Sequence, residues 1–179
     1  YGGKILGICG GLQMLGKTIN GPLGLEGLPG SSEGFAWLDV ETELLAEKTL
    51  KNMVGKLNLP NQTSCDIQGY EIHAGITLSS TNLNSENIDT ENHSIITTED
   101  NHICALLSTD EQVLASYWHG LMDTPEALQS ILRWAGAETS LVDYQVLREK
   151  SLDALADTAE AHFNWQKLEK ALAEFSSIE

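Results

Sequence analysis

The feature that most constrains this chain is a cysteine between an apolar run and a helical pattern, in the stretch KILGICGGLQMLG. The run Lys4 to Ile8 predicts a β-strand, and the apolar spacing from Leu12 to Ile19 predicts a helix. A strand that turns directly into a helix is the first half of a βαβ unit, so we predict an α/β fold. Gly7 and Gly11 flank Cys9 at positions −2 and +2, where a missing Cβ permits a strained backbone. A side chain on so sharp a turn is held out from the backbone at the top of a sheet.

The predicted helix gives this cysteine a possible chemical role. Its unpaired N–H groups and its positive dipole end favour the thiolate of Cys9. The N–H of Gly10 would point towards the oxyanion of a tetrahedral intermediate. Two other interpretations stay open on the residues alone: Cys9 is a small buried apolar side chain, or the glycine turn binds phosphate. The phosphate interpretation is disfavoured, because the turn has neither the P-loop lysine nor the G-x-G-x-x-G spacing.

A thiol nucleophile needs a base, and His119 is the strongest candidate. It follows a predicted strand and precedes Gly120 and a helix start, in the position where sites of α/β sheets collect. It also lies far from Cys9 in sequence, as nucleophile and base usually do. The other histidines lie in a polar segment, on a terminal helical stretch or within predicted strands, and they are His73, His93, His102 and His162.

Composition excludes several classes of partner. The chain of 179 residues has 10 Lys+Arg against 26 Asp+Glu, a net charge of −16, which disfavours nucleic acid and anionic membranes. No apolar run approaches the roughly 20 residues that span a bilayer. The three cysteines, Cys9, Cys65 and Cys104, predict free thiols in a cytoplasmic protein. No metal site is predicted, because the pair Glu71 and His73 lacks a third ligand.

Patterning along the chain predicts a domain at residues 1–140 and a helical tail of the same domain at 141–179. Residues 20–34 are dense in Gly and Pro and predict an irregular loop, whereas 79–100 predicts a polar excursion without chemistry. Thr124 is predicted to cap a helix that runs to about Trp134, and Asn164 to cap a last helix from Trp165 to about Phe175. Further strands are predicted at 35–40, 56–59, 69–78, 102–107 and 113–117, the last two paired near an edge or floor of the sheet.

Several stretches together resemble one known family. GICGGLQMLG resembles the nucleophile motif of class I (triad-type) glutamine amidotransferases. GYEIHAGIT, YWHGLMD around His119 and REKSLDALAD at Arg148 to Asp157 are similar to the C-terminal amidotransferase domain of the cobyric acid synthase family, which acts in cobalamin biosynthesis. The resemblance implies a flavodoxin-like three-layer α/β fold, with strands before the elbow strand missing from this sequence.

The resemblance also implies roles for particular residues. Cys9 would attack the side-chain amide of glutamine and form a γ-glutamyl thioester, with His119 as the base. The oxyanion and glutamine-binding positions would be Gly10, Gly11 and Gln13.

One departure concerns the third catalytic residue. Typical members have a glutamate two residues after the histidine, where this chain has Leu121. The resemblance therefore implies either a dyad or a substitute carboxylate, for which Asp123 and Glu71 are candidates. Tyr70 and His73 would be neighbours of the active site without an assigned role.

The implied parent reaction is the amidation of adenosylcobyrinic acid a,c-diamide at its b, d, e and g carboxylates. The ammonia would come from glutamine, whereas ATP and magnesium would act in an N-terminal synthetase domain that this sequence does not contain. That domain would also recognise most of the corrin, and this stretch would hold no cofactor. Alternatives are a cobyrinic acid a,c-diamide synthase, a cell-wall amidotransferase, a stand-alone cysteine hydrolase and a non-catalytic docking module.

Overall fold

The computed structural model describes residues 3–79, 92–98, 104–137 and 143–176, and it confirms the predicted α/β class. The chain divides into two units, Tyr1–Val142 and Asp143–Glu179. The first unit contains, in chain order, β1 (Ile5–Ile8), α1 (Gly10–Leu15), β2 (Thr18–Gly21), β3 (Gly30–Glu33), β4 (Val40–Leu57), β5 (Cys65–Ser79), β6 (Asn92–Ser94), β7 (Ile96–Thr98), β8 (Ala105–Ser108), β9 (Val113–Ser116), β10 (Trp118–His119) and α2 (Pro125–Trp134).

One sheet has the described strand order β1-β9-β8-β6. Strand β1 pairs with β9 in parallel, with Ile8 opposite Ser116, so the carboxyl ends of these two strands lie side by side. Both β8 and β9 are buried at every position, which explains their continuous apolar sequences. They pair with each other, as predicted, but among the described strands they are the interior pair of this sheet, so the edge position, one of the two predicted alternatives, was wrong. His102 is at the start of the strand predicted at 102–107, which overlaps β8, and it lies outside the described residues.

The second sheet has the order β10-β5-β4-β2-β3, with β7 also paired to β4. Its centre is a long antiparallel pair in which β4 has 18 residues and β5 has 15. The separate strands predicted at 35–40 and 56–59 were therefore wrong, because one strand runs from Val40 to Leu57. Most side chains in its middle are exposed and several are charged, so backbone pairing rather than an apolar pattern maintains it.

The helix after the cysteine is shorter than predicted, and the glycine-rich loop is partly regular. Helix α1 ends before Gly16, whose backbone is extended and where a Cβ would lie only 2.7 Å from the carbonyl oxygen of Val40. The chain then forms β2, which pairs with both β3 and β4. The β-branched residues Thr18 and Ile19 favour this strand over another helical turn.

The predicted polar excursion is also partly structured. Its described end forms β6 and β7, which pair with β8 and β4 respectively, and Ile95 and Ile96 are buried. Burial of these two side chains contributes about 1.5–3 kcal/mol each. The remainder of the excursion, residues 80–91 and 99–100, lies outside the described residues.

The core contains two apolar clusters that fix the elements around the cysteine and histidine. One contains Leu12 and Leu15 of α1 together with Ala115 of β9. The other contains Trp118 of β10 and the nearby Leu121, both almost completely buried. The segments carrying Cys9 and His119 are thus each anchored by a buried neighbour.

The helix starts follow their predicted positions but differ in their capping. Thr124 precedes α2 with an extended backbone, yet its hydroxyl donates to the carbonyl oxygen of Asp66 (3.4 Å) and makes no capping bond. In the second unit, α3 (Tyr144–His162) is capped by the Asp143 carboxylate. Before α4 (Trp165–Ser176), the Asn164 side chain accepts from the N–H of Lys167 at 2.9 Å, as predicted. None of the helices described has the length and apolar character needed to cross a membrane.

Candidate active site

Cys9 occupies a strained backbone position between β1 and α1. Its φ of 54° and ψ of −113° lie in a region that non-glycine residues rarely adopt. The N–H of Cys9 donates to the carbonyl oxygen of Ser116 (2.8 Å), and its own carbonyl accepts from the N–H of Leu12 (2.9 Å). These two backbone hydrogen bonds fix the strained conformation of Cys9. The geometry matches the sharp strand-to-helix turn predicted from the sequence.

The three glycines around the cysteine have different reasons for being there. A Cβ at Gly7 would overlap Leu15 Cδ1 and lie 2.9 Å from the backbone of Gly11, so close approach of strand and helix requires glycine at this position. A Cβ at Gly10 or Gly11 would meet no atom within 4 Å. The space beside these two residues is therefore open at the start of α1.

The thiol of Cys9 points towards strand β5. The side chain is half-buried, and its Sγ donates to the carbonyl oxygen of Ile72 at 3.3 Å. This contact rules out a thiol buried only among apolar side chains, which was one of the interpretations left open by the sequence.

His119 lies beside the same stretch of β5, because its own strand, β10, pairs with β5. Strand β10 pairs antiparallel with β5, placing His119 opposite Tyr70. Because strands rise about 3.3 Å per residue, Tyr70 and Ile72 are about 7 Å apart along β5. Cys9 and His119, the two predicted catalytic residues, therefore contact strand β5 at positions two residues apart, Ile72 and Tyr70.

The imidazole of His119 is held by one aromatic contact. Its ring stacks on that of Tyr70, with centroids 5.0 Å apart and an interplanar angle of 6°. Its Nε2 is buried and makes no hydrogen bond within the part of the chain that the structure describes. This nitrogen is therefore available to exchange a proton.

The structure gives positions for both carboxylates predicted as possible third members. Consecutive residues of a strand face opposite sides of a sheet. Because Tyr70 is opposite His119 and Glu71 is opposite Trp118, Glu71 lies on the other face, with 1% of it exposed. One Glu71 oxygen, Oε1, lies 3.8 Å from Nε2 of His73. The Asp123 carboxylate lies beside Gly120, where it would be 3.1 Å from an added Cβ.

A polar network lies on the inner face of β5. The His73 Nδ1 donates to the carbonyl oxygen of Gly75 (3.1 Å), and its ring stacks on Tyr117 with centroids 3.9 Å apart. The Tyr117 hydroxyl is 2.5 Å from Oγ1 of Thr77. Burial raises the pKa of Tyr117, and the nearby charge of Cys9 raises it further, although hydrogen bonds from Thr77 and other groups oppose the shift.

Gln13 belongs to this inner network. Its Nε2 donates to the carbonyl oxygen of Ala74 at 3.3 Å, and its side chain hydrogen bonds to Tyr117. The amide that the resemblance assigns to glutamine contact is therefore engaged with β5 and Tyr117 in this structure. A cavity of about 160 Å³ lies alongside, lined in part by His73, Thr77 and Tyr117.

Sequence reasoning missed Gly69 and Tyr117. A Cβ at Gly69 would overlap the carbonyl oxygen of His119 and the indole Nε1 of Trp118, so only glycine lets β10 approach β5 this closely. A lone glycine inside an otherwise regular strand pattern was the available signal. Tyr117 gave no such signal, because it was the last residue of the apolar run predicted as a strand at 113–117.

Comparison with known families agrees with the geometry. The family model of the CobB/CobQ-like glutamine amidotransferase domain matches residues 1–127. The matched span contains the elbow, strand β5 and His119, and it ends within the first turn of α2. Among the described residues, no group of three His, Cys, Asp or Glu side chains could hold a metal ion.

Proposed function

The chain belongs to the CobB/CobQ-like glutamine amidotransferase family, and we propose that Cys9 and His119 hydrolyse glutamine to supply ammonia for an amidation. The observation that carries this proposal is the strained Cys9, whose thiol meets β5 at Ile72, two residues along the strand from Tyr70, the partner of His119. The buried Nε2 of His119, which has no hydrogen-bond partner among the described residues, supports the role of His119 as the base.

The proposed reaction has two halves. In the first, Nε2 of His119 takes the thiol proton, and Sγ of Cys9 attacks the side-chain carbonyl carbon of glutamine. The negative oxygen of the tetrahedral intermediate would face the N–H of Gly10 at the open start of α1. When the C–N bond breaks, the imidazolium returns its proton to the departing nitrogen, which leaves as ammonia and creates a γ-glutamyl thioester.

In the second half, His119 takes a proton from water as the water oxygen attacks the thioester carbonyl. The C–S bond breaks, the proton returns to sulfur, and glutamate leaves. The thiol of Cys9 is thereby regenerated, so the cycle consumes one glutamine and one water and releases one ammonia and one glutamate.

For the parent reaction, the motifs that resemble cobyric acid synthases support amidation of adenosylcobyrinic acid a,c-diamide at its b, d, e and g carboxylates. ATP and magnesium would activate those carboxylates in a partner synthetase domain, which would also bind most of the corrin. The glutamine half-reaction written above consumes only glutamine and water, so we assign no step of this chain to ATP. Keeping ammonia away from water preserves its neutral, nucleophilic form and gives a reason to couple the two activities.

A labelling experiment tests the glutaminase proposal. We expect an electrophilic glutamine analogue to label Cys9, and we expect Cys9→Ser and His119→Ala to abolish ammonia release from glutamine in the full-length enzyme that contains this chain. Cys65→Ser is the matched control: burial raises the pKa of the Cys65 thiol, so this thiol is less reactive near neutral pH. Wild-type rates in Cys9→Ser would contradict the proposal, and peptidase activity without glutaminase activity would instead favour a stand-alone hydrolase.

The corrin assignment has its own test. The protein that contains this chain together with its synthetase partner should amidate adenosylcobyrinic acid a,c-diamide, with glutamine as the nitrogen source. Amidation of cobyrinic acid only at the a and c positions would identify a cobyrinic acid a,c-diamide synthase instead.

A further inference from the structure

Among the residues that the structure describes, no hydrogen bond or ion pair joins the His119 ring to a carboxylate, the partner that usually orients a catalytic imidazole. A histidine that moves protons is normally fixed by a carboxylate that also stabilises its charged form. Here the position two residues onward is Leu121, which is 2% exposed within the core. Glu71 lies on the opposite face of β5, and Asp123 lies beside Gly120.

The backbone around His119 offers limited support of its own. Strand β10 has two residues, and the following Gly120 turns the chain at φ +82°. The preceding Trp118 is fully buried and fixes the backbone, but it faces away from His119. The side-chain torsions of His119 therefore need a contact on its own face of the sheet.

Tyr70 supplies that contact. It is the cross-strand partner of His119, so both side chains project from the same face. The rings lie nearly parallel at a centroid distance suited to an offset stack. A stack occupies the flat face of the imidazole and leaves its edge, with both nitrogens, free for hydrogen bonding.

The geometry points to Tyr70 as the positioning residue that orients the His119 ring in place of a carboxylate, an inference that rests on the proposed glutaminase activity. The electron-rich face of the phenol ring also stabilises the positive imidazolium that forms when Cys9 loses its proton. The ring, rather than the hydroxyl, performs this role.

Kinetics of the full chain with glutamine test the inference. Tyr70→Leu should lower kcat about three- to tenfold, the range expected for loss of one aromatic stack, with a smaller effect on KM. Tyr70→Phe keeps the ring and should retain most of kcat. Phe163→Leu is the matched control: it removes a half-exposed ring that packs on Trp165 with centroids 4.9 Å apart, on a different helical unit. This control should leave kcat unchanged.

A spectroscopic readout separates ring position from general stability. The carbon-bound protons of the His119 ring, assigned by their loss in His119→Ala, should have a ring-current shift in wild type and Tyr70→Phe. That shift should disappear in Tyr70→Leu. Retention of the shift in Tyr70→Leu would contradict the stack and overturn the inference.

The kinetic outcomes distinguish this inference from the function on which it rests. If wild type hydrolyses glutamine and Tyr70→Leu does so equally well, the positioning role is wrong and the glutaminase function stands. If Tyr70→Phe loses as much kcat as Tyr70→Leu, the hydroxyl matters and the stacking role is overturned. If wild type hydrolyses no glutamine, the proposed function fails and the inference fails with it.

Discussion

At Cys9 the backbone adopts a conformation that costs about 1–3 kcal/mol for a residue with a side chain. Two hydrogen bonds hold the backbone in this conformation: the N–H of Cys9 donates to Ser116, and its carbonyl accepts from Leu12. Glycine would adopt the same angles without a steric penalty. The presence of cysteine where glycine would be easier is the residue-level observation that favours a chemical role over a structural one.

Gly69 is the second residue at which backbone geometry serves the site. We expect Gly69→Ala to displace the carbonyl of His119, because the added Cβ would overlap it. Glutaminase kcat should fall more than about tenfold, and the free energy of unfolding should decrease by about 1–3 kcal/mol, as for other overpacked sites. Steady-state kinetics and urea unfolding measure the two effects.

Gly30→Ala is the matched control for this substitution. Gly30 is also a strand glycine, but a Cβ added there would meet nothing within 4 Å. Equal kcat values in the two variants would show that the close approach at Gly69 does not position His119.

At the scale of elements, sequence patterns identified the segments whose signals are local. The apolar run of β1, the Pro125 start of α2 and the Asn164 cap before α4 are such signals, and each agrees with the structure. The long β4–β5 pairing was missed, because exposed, charged residues in its middle resemble loop or helix. Pairing between distant strands overrides propensity there.

The same limitation applies to the candidate site. Cys9 and His119 were predicted from a turn pattern and a strand end, which require no knowledge of pairing. Glu71 was a candidate because the resemblance left open a carboxylate that substitutes for the usual glutamate. Only the β10–β5 register assigns Tyr70 to the face of His119 and Glu71 to the opposite face, and that register comes from the pairing of distant segments, which local sequence patterns do not reveal.

The inner network of β5 predicts a pH effect. Burial raises the folded-state pKa of Tyr117 above its ordinary value of 10.0. Its contribution to stability is therefore fully present below pH 10 and is lost as pH rises through the folded-state pKa. We expect the urea midpoint of wild type to be lower at pH 11 than at pH 8. In Tyr117→Phe the midpoint should decrease less over the same pH range.

Tyr70→Phe is the control for the alkaline effect, because it removes the hydroxyl of a tyrosine that is 43% exposed, whereas Tyr117 is buried. Its urea midpoint should fall with pH as much as that of wild type. A Tyr117→Phe midpoint with the full wild-type dependence on pH would show that the buried phenol does not cause the loss.

At the scale of the whole molecule, the family match lies entirely within the first unit. The match ends at residue 127, whereas the helices α3 and α4 form a separate unit from Asp143. The net charge of −16 agrees with a small-molecule reaction better than with binding to a polyanion. The family match implies glutamine as the substrate, whereas the proposed catalytic roles of Cys9 and His119 rest on the pairing of β1, β5 and β10.

The most direct test of the central claim is to trap the acyl-enzyme. The intact chain is mixed with glutamine, quenched in acid within the first turnover and digested for mass spectrometry. We predict a γ-glutamyl adduct on the peptide containing Cys9, and we predict that it forms much more slowly in His119→Ala. A chain that releases ammonia with no adduct on Cys9, or with the adduct on Cys65, would contradict the account.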